Sequence, residues 1–324
     1  MKMRIPYPAI LNERSLCEVA CRTDFVSLVK GLVAVVRAMA PYGYGLRLAY
    51  SYSVMSRKIF EGNTFASWLS LSGCQVQNER ELVILVKAMM DRGCVLENVG
   101  LTSDDDLYFQ GIRIYGGDVS SVPGLAASYI WNLPSTALNI GIYCGCGKFD
   151  LEREYLHVDG TIHKDCVPVK VLSTVDAVKS SCDDLMSRLL SDIQNGVDLV
   201  SAVRTVMPKM SLSKGVVDSL KTISFRQFPV VSEFFRLNEV FNRCLAVGSK
   251  DFFNEYGALK SIAMSESDTK MAEHPYCRNF TWDDGTVHKC EPHVKVGNGC
   301  RIHFFPDFAD EKLYVGYVGP HLEP

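Results

Sequence analysis

The chain has 324 residues, 47% hydrophobic and 10% aromatic, which is enough apolar side chain to bury a core and excludes a disordered or low-complexity protein. With 34 Lys and Arg against 37 Asp and Glu, the net charge of -3 excludes a chain that grips polyanions by its overall charge, because that grip needs many cations neutralising phosphates together. The charges are nevertheless uneven: residues 1–60 hold nine Lys and Arg against three acids, and residues 61–110 hold three against eight.

Thr23-Asp24 caps a helix predicted over 24–40, stopped by Pro41. Phe25, Leu28, Val29, Leu32, Val33, Val36 and Met39 recur at helical spacing along it. Lys30 and Arg37 interrupt its apolar run, so the reading is a buried helix and not a membrane span. Arg14, Arg22 and Arg37 make the basic N-terminal part a candidate binding face for nucleic acid or a partner protein. A second helix is predicted over 79–92, with Leu82, Val83, Leu85, Val86, Met89 and Met90 apolar and Gly93 as the stop.

Branched and aromatic residues bounded by glycine predict strands at 107–109, 112–115 and 138–143, with a short helix over 124–131. The loop Gly116–Gly124 leads into that helix, whose amides are a candidate phosphate cradle, although the spaced glycines and the Lys of a P-loop are missing. Asp104-Asp105-Asp106 reads as a solvated acidic loop. Cys144 and Cys146, followed by His157, His163 and Cys166, are residues of zinc-ligand type in a spacing that matches no common structural site.

From 176 to 265 helical periodicity dominates. One stripe runs from Val178 to Ile193 and closes at Asn195-Gly196. Further helices are predicted over Val197–Met207, Ser213–Thr222, Val231–Leu245 and Lys250–Ala263. Residues 265–273 are polar and read as a linker. Beyond them the period changes from helical to two.

Glu291–Val296 and Cys300–Phe305 alternate around Gly297-Asn298-Gly299, a hairpin signal. A three-residue loop sets Val296 opposite Cys300, Lys295 opposite Arg301, Val294 opposite Ile302 and His293 opposite His303. That register keeps apolar pairs on one face, whereas a one-residue slip mixes the faces. Leu313–Val318 is predicted as a third strand, with Gly316 leaving space on one side.

On the polar face, Lys295 beside Arg301 is a like-charge pair, unfavourable by itself and relieved by an arriving anion. His293 and His303 titrate near neutral pH, so the set suits a phosphodiester, with cations holding charge and imidazoles moving protons. His321 and Tyr317 lie close in the same tail. No carboxylate pair is required, hence no metal and no cofactor. Cys290-x2-His293 and Cys300-x2-His303 invite zinc, but residues three apart in a strand point to opposite faces.

His293, Lys295, Arg301, Tyr317 and His321 on a small antiparallel sheet after helices resemble the RelE-type ribonuclease toxin superfamily. Arg301-Ile-His-Phe and Leu313-Tyr-Val-Gly-Tyr-Val-Gly-Pro-His321-Leu also resemble the tail of uncharacterised bacterial proteins found near antiphage systems. The resemblance covers about 50 residues and implies metal-independent RNA cleavage by basic and histidine side chains. Two departures stand against it: residues 274–324 carry five Lys and Arg against seven acids, and about 270 residues precede the ribbon.

The expectation is therefore an α+β protein with an α/β region over 1–170, a helical region over 171–265 and a β meander over 274–324. Met1–Arg4 is followed by Ile5-Pro6-Tyr7-Pro8 and not by an apolar leader, and the twelve scattered cysteines read as reduced thiols, so a cytoplasmic protein is expected. The expected activity is a metal-independent nuclease, RNA before DNA, in the setting of bacterial antiviral defence. The alternative is a non-catalytic interaction subunit of a defence complex.

Overall fold

The computed structural model describes residues 5–70, 77–99, 113–114, 123–140, 148–156, 160–222, 228–257, 262–263, 278–297, 299–320 and 322. The chain is α+β and divides into two compact units, Met1–Met186 and Ser187–Pro324.

The first unit runs β1 (Tyr7–Leu11), α1 (Arg22–Ala38), β2 (Tyr44–Tyr50), β3 (Lys58–Phe60), β4 (Asn63–Thr64), α2 (Phe65–Leu69) and α3 (Gln77–Asp91). It continues with β5 (Cys94–Val95), α4 (Leu96–Val99), β6 (Arg113–Ile114), α5 (Pro123–Trp131), β7 (Ser135–Thr136), β8 (Lys148–Leu156), β9 (Ile162–Leu172) and α6 (Val175–Ser180). One mixed sheet orders its strands β5-β2-β1-β7-β9-β8-β6. The β5-β2-β1-β7-β9 part is parallel, and β8 and β6 extend it antiparallel. All five residues of β1 are buried, as a central parallel strand covered on both faces requires.

The buried residues of α1 are Phe25, Val29, Leu32, Val33, Val35 and Val36, and its ring Phe25 meets Trp68 edge-on at 5.2 Å. Together with the turn after it, Arg22–Tyr42 is long and apolar enough by composition to cross a membrane. The packing of this stripe in the core accounts for that apolarity. Gly43 closes the turn at φ 90°, in the left-handed region that glycine enters without strain, and its carbonyl accepts from Tyr7 N at 2.8 Å.

Three readings of this unit change. Residues 138–140 are not strand; the strand at this place is Ser135–Thr136, whose hydroxyls both donate to the Ile10 carbonyl. The stripe from Val178 to Ile193 is not one helix, because Ser181 leaves helical geometry and separates α6 from α7 (Cys182–Asp192). The β8-β9 hairpin stands where no element was predicted, since its charged alternation hides Phe149, Leu151, Val167 and Val169, which pack on Leu125. The predicted strand at 107–109 lies outside the described residues.

Within the second unit come α8 (Gly196–Val206), β10 (Met210–Leu212), α9 (Lys214–Thr222), α10 (Phe228–Val247), α11 (Phe252–Gly257), β11 (Ile262–Ala263), β12 (Asn279–Thr281) and β13 (Val287–Lys289). It ends with β14 (His293–Gly297), β15 (Cys300–Asp307) and β16 (Lys312–Gly319). The sheet order is β10-β16-β15-β14-β11, and β12 pairs with β13 in a separate two-stranded sheet. The helix predicted to Ala263 ends at Gly257, and Ile262-Ala263 is a strand pairing with Val294 and His293. β10, inside the predicted helical region, pairs in parallel with Leu313–Val315. Helices and meander thus share one sheet and one compact unit, so the change from period 3.6 to period 2 marks no division of the core. Residues 265–273 lie outside the described residues. Phe252 and Phe304, 5.6 Å apart, join α11 to the apolar face of this sheet.

Candidate functional site

β14 and β15 pair His293 with His303, Val294 with Ile302 and Lys295 with Arg301, the register expected from the faces. The end of the hairpin differs. Gly297, not Val296, pairs with Cys300, and the ladder shifts between Lys295 and Gly297. A bulge there takes up the extra residue, which reconciles a short turn with the buried apolar face. A second shift between His303 and Phe304 sets His303 opposite Tyr317 and Phe304 opposite Val315, leaving Gly316 as the extra residue.

The four predicted polar residues therefore share one face, but that face is largely covered. His303 is 0% exposed and His293 3%, whereas Lys295 is exposed and Arg301 and Tyr317 are half-buried. The two imidazoles lie 4.7 Å apart. His303 Nδ1 sits 3.2 Å from the Cys290 carbonyl, which can only accept, so the ring donates from Nδ1. Phe280, from the β12-β13 hairpin, stacks on Tyr317 at 6.3 Å and lies 6.5 Å from His303. Burial pushes the Tyr317 hydroxyl up, with Cys300 adding to the shift and Arg278 opposing it. Arg278, 2% exposed, donates from Nη2 to the Leu322 carbonyl at 3.3 Å. Cations project at one end of the face, and two sealed imidazoles sit beside them. In this closed arrangement a phosphodiester in solvent can meet Lys295 but not the histidines.

Burial pushes the Cys290 thiol up to about 12, so near pH 7 it is a neutral thiol. Cys300 is buried on the side opposite His303, as strand alternation requires. Among the described residues no group of three or more His, Cys, Asp or Glu is placed to hold a metal ion. Cys144, Cys146 and His157 lie outside the described residues. His163 and Cys166 are exposed three apart on β9, hence on opposite faces.

The other expected positions scatter. His321 and Asp104–Asp106 lie outside the described residues. Arg14 is in the turn Glu13–Ser15. Arg22 is engaged internally, its Nε donating to both Glu79 oxygens at 2.9 and 3.1 Å and its guanidinium lying over Phe60. Arg37 is exposed in the last turn of α1. Of the expected phosphate cradle, residues 116–122 lie outside the described residues, and Gly124 is described. Gly124 N donates to Glu13 Oε2 at 3.0 Å, so this buried carboxylate of the protein occupies the start of α5. A Cβ at Gly124 would lie 2.3 Å from the Leu11 carbonyl oxygen, which is why only glycine fits.

Sequence reasoning missed the cover made by Arg278, Phe280 and Cys290. A signal for it existed: Trp282-Asp-Asp-Gly285-Thr286 is turn chemistry between alternating residues. Asp284 Oδ1 accepts from both the amide and the hydroxyl of Thr286.

No family model, no curated protein and no solved structure matches this chain.

Proposed function

We propose that this chain binds a single-stranded nucleic acid, RNA before DNA, as a non-catalytic interaction module. The carrying observation is the cross-strand pair Lys295 and Arg301, with Lys295 exposed at the open end of the polar face while the adjoining imidazoles are buried. Lys295 and Arg301 stand opposite one another across β14 and β15, and a phosphate bound there takes charge-assisted contacts from both. With a net charge of -3 the contact is local, and a partner of modest footprint fits it better than a long duplex. The cytoplasmic location and the antiviral setting belong to the same proposal. They rest on the thiol content and on the resemblance of the tail.

A second reading is metal-independent cleavage. It is favoured by the pairing of His293 with His303 directly beside the cations, and it requires the covering hairpin to move.

The test is incubation of the purified protein with labelled single-stranded RNA and DNA, with and without EDTA. Lys295→Glu/Arg301→Glu and His293→Ala/His303→Ala variants are run alongside, with folding checked by circular dichroism. Binding that weakens with salt and is lost in the charge-reversed variant, without cleavage, is expected. EDTA-resistant cleavage lost in the histidine variant replaces this reading with the nuclease. An absence of binding to either strand type removes both.

A further inference from the structure

The strands of the β12-β13 hairpin hydrogen-bond to each other and not to the strands of the five-stranded sheet, so the hairpin covers the polar face through side chains and, at its base, through the Cys290 carbonyl that accepts from His303 Nδ1. Phe280 stacks on Tyr317 at 17° between ring planes, and His288 stacks on Tyr314 with centroids 3.7 Å apart. Trp282 meets Tyr314 edge-on at 5.2 Å. Asn279, Thr281, Asp283–Val287 and Lys289 are exposed. Gly316, the bulged residue beneath, makes room for the wedge: a Cβ there would lie 2.3 Å from Phe280 Cδ2 and 2.9 Å from Cys290 Sγ. The face carries the cations Lys295 and Arg301 at its open end and, under the cover, the rings of His303 and Tyr317 and then of Phe305 and Tyr314. Such a surface stacks bases and pairs with phosphates, and the rings of the hairpin lie where bases would stack.

We propose that the β12-β13 hairpin is an autoinhibitory cover, an internal occupant of a single-stranded RNA platform that leaves when RNA binds. The proposal rests on the nucleic-acid reading above and adds its regulation. Closed, the hairpin leaves only the Lys295 end available. Open, it bares Tyr314 and Tyr317 for stacking and brings His293 and His303 to solvent.

The experiment uses the full chain, a labelled single-stranded oligoribonucleotide, and Phe280→Ala beside the wild type and Lys295→Glu/Arg301→Glu. Phe280→Ala is expected to bind about tenfold more tightly, of the order of one base gaining a ring to stack on. Hydrogen exchange of the wild type gives a second readout. Saturating RNA is expected to speed exchange across 278–291, where Trp282 N is bonded to Thr286 O and Cys290 N to Arg278 O. Equal affinity of Phe280→Ala and wild type, or unchanged or slower exchange in 278–291, overturns the cover while the binding reading stands. No binding by any of the three proteins overturns both. If Phe280→Ala fails to fold, the exchange measurement on the wild type decides.

Discussion

Glu79 is 8% exposed and takes three hydrogen bonds, two from Arg22 Nε and one from Trp68 Nε1 at 2.8 Å. It ties the start of α1 to α2 and α3. Removing the carboxylate leaves a buried indole N–H without its acceptor, so Glu79→Ala is expected to cost about 2 kcal/mol in urea unfolding. Glu79→Gln, which still accepts from Trp68, is expected to recover at least half of that. Cys290 shows the opposite kind of burial, a thiol kept neutral. Below its ordinary value of 9.0 it is protonated in both folded and unfolded chains, and its contribution to stability is complete. Between pH 9.0 and about 12 only the unfolded chain ionises, so stability falls as pH rises. Iodoacetamide at pH 8.5, read by mass spectrometry, is expected to label the exposed Cys17 and Cys166 and to spare Cys290. Labelling of Cys290 at a comparable rate contradicts its burial.

At the scale of elements, the cap of α2 and the wedge over β16 each reduce to one atom. Thr64 Oγ1 accepts from Ser67 N at 3.2 Å, and Ser67 Oγ accepts from Thr64 N at 3.0 Å, a reciprocal capping box. Thr64→Ala is expected to cost about 1 kcal/mol, measured by the same urea titration. Gly316→Ala drives a methyl into Phe280 and is expected to cost about 1–3 kcal/mol, or to displace the hairpin outright. Faster exchange confined to 278–291 in that variant distinguishes displacement from global loss of stability. The helices α1, α3, α8, α9 and α10 were legible because each repeats apolar residues at helical spacing over nine or more positions. The strands β1, β2, β8 and β9 were not. Tyr7–Leu11 lacks alternation because it is buried on both faces, and Glu152-Arg153-Glu154 in β8 looks like solvated loop.

For the whole molecule, two compact units that unfold separately predict that calorimetry gives a calorimetric enthalpy above the van't Hoff value; a ratio of one contradicts independent unfolding. Raising pH above 9.0 is expected to lower the transition of the second unit in particular, since Cys244, Cys290 and Cys300 there are all pushed up by burial. The sequence by itself determined the α+β class and the pairing of His293, Lys295, Arg301 and His303 on one face, because side-chain alternation with period two permits a single register that keeps Val294 and Ile302 inside. Only the tertiary structure decided what covers that face. The contacts of Phe280 with His303 and Tyr317 join residues far apart in the chain, and periodicity, which reports how one segment is wetted on average, carries nothing about which distant segment excludes the water.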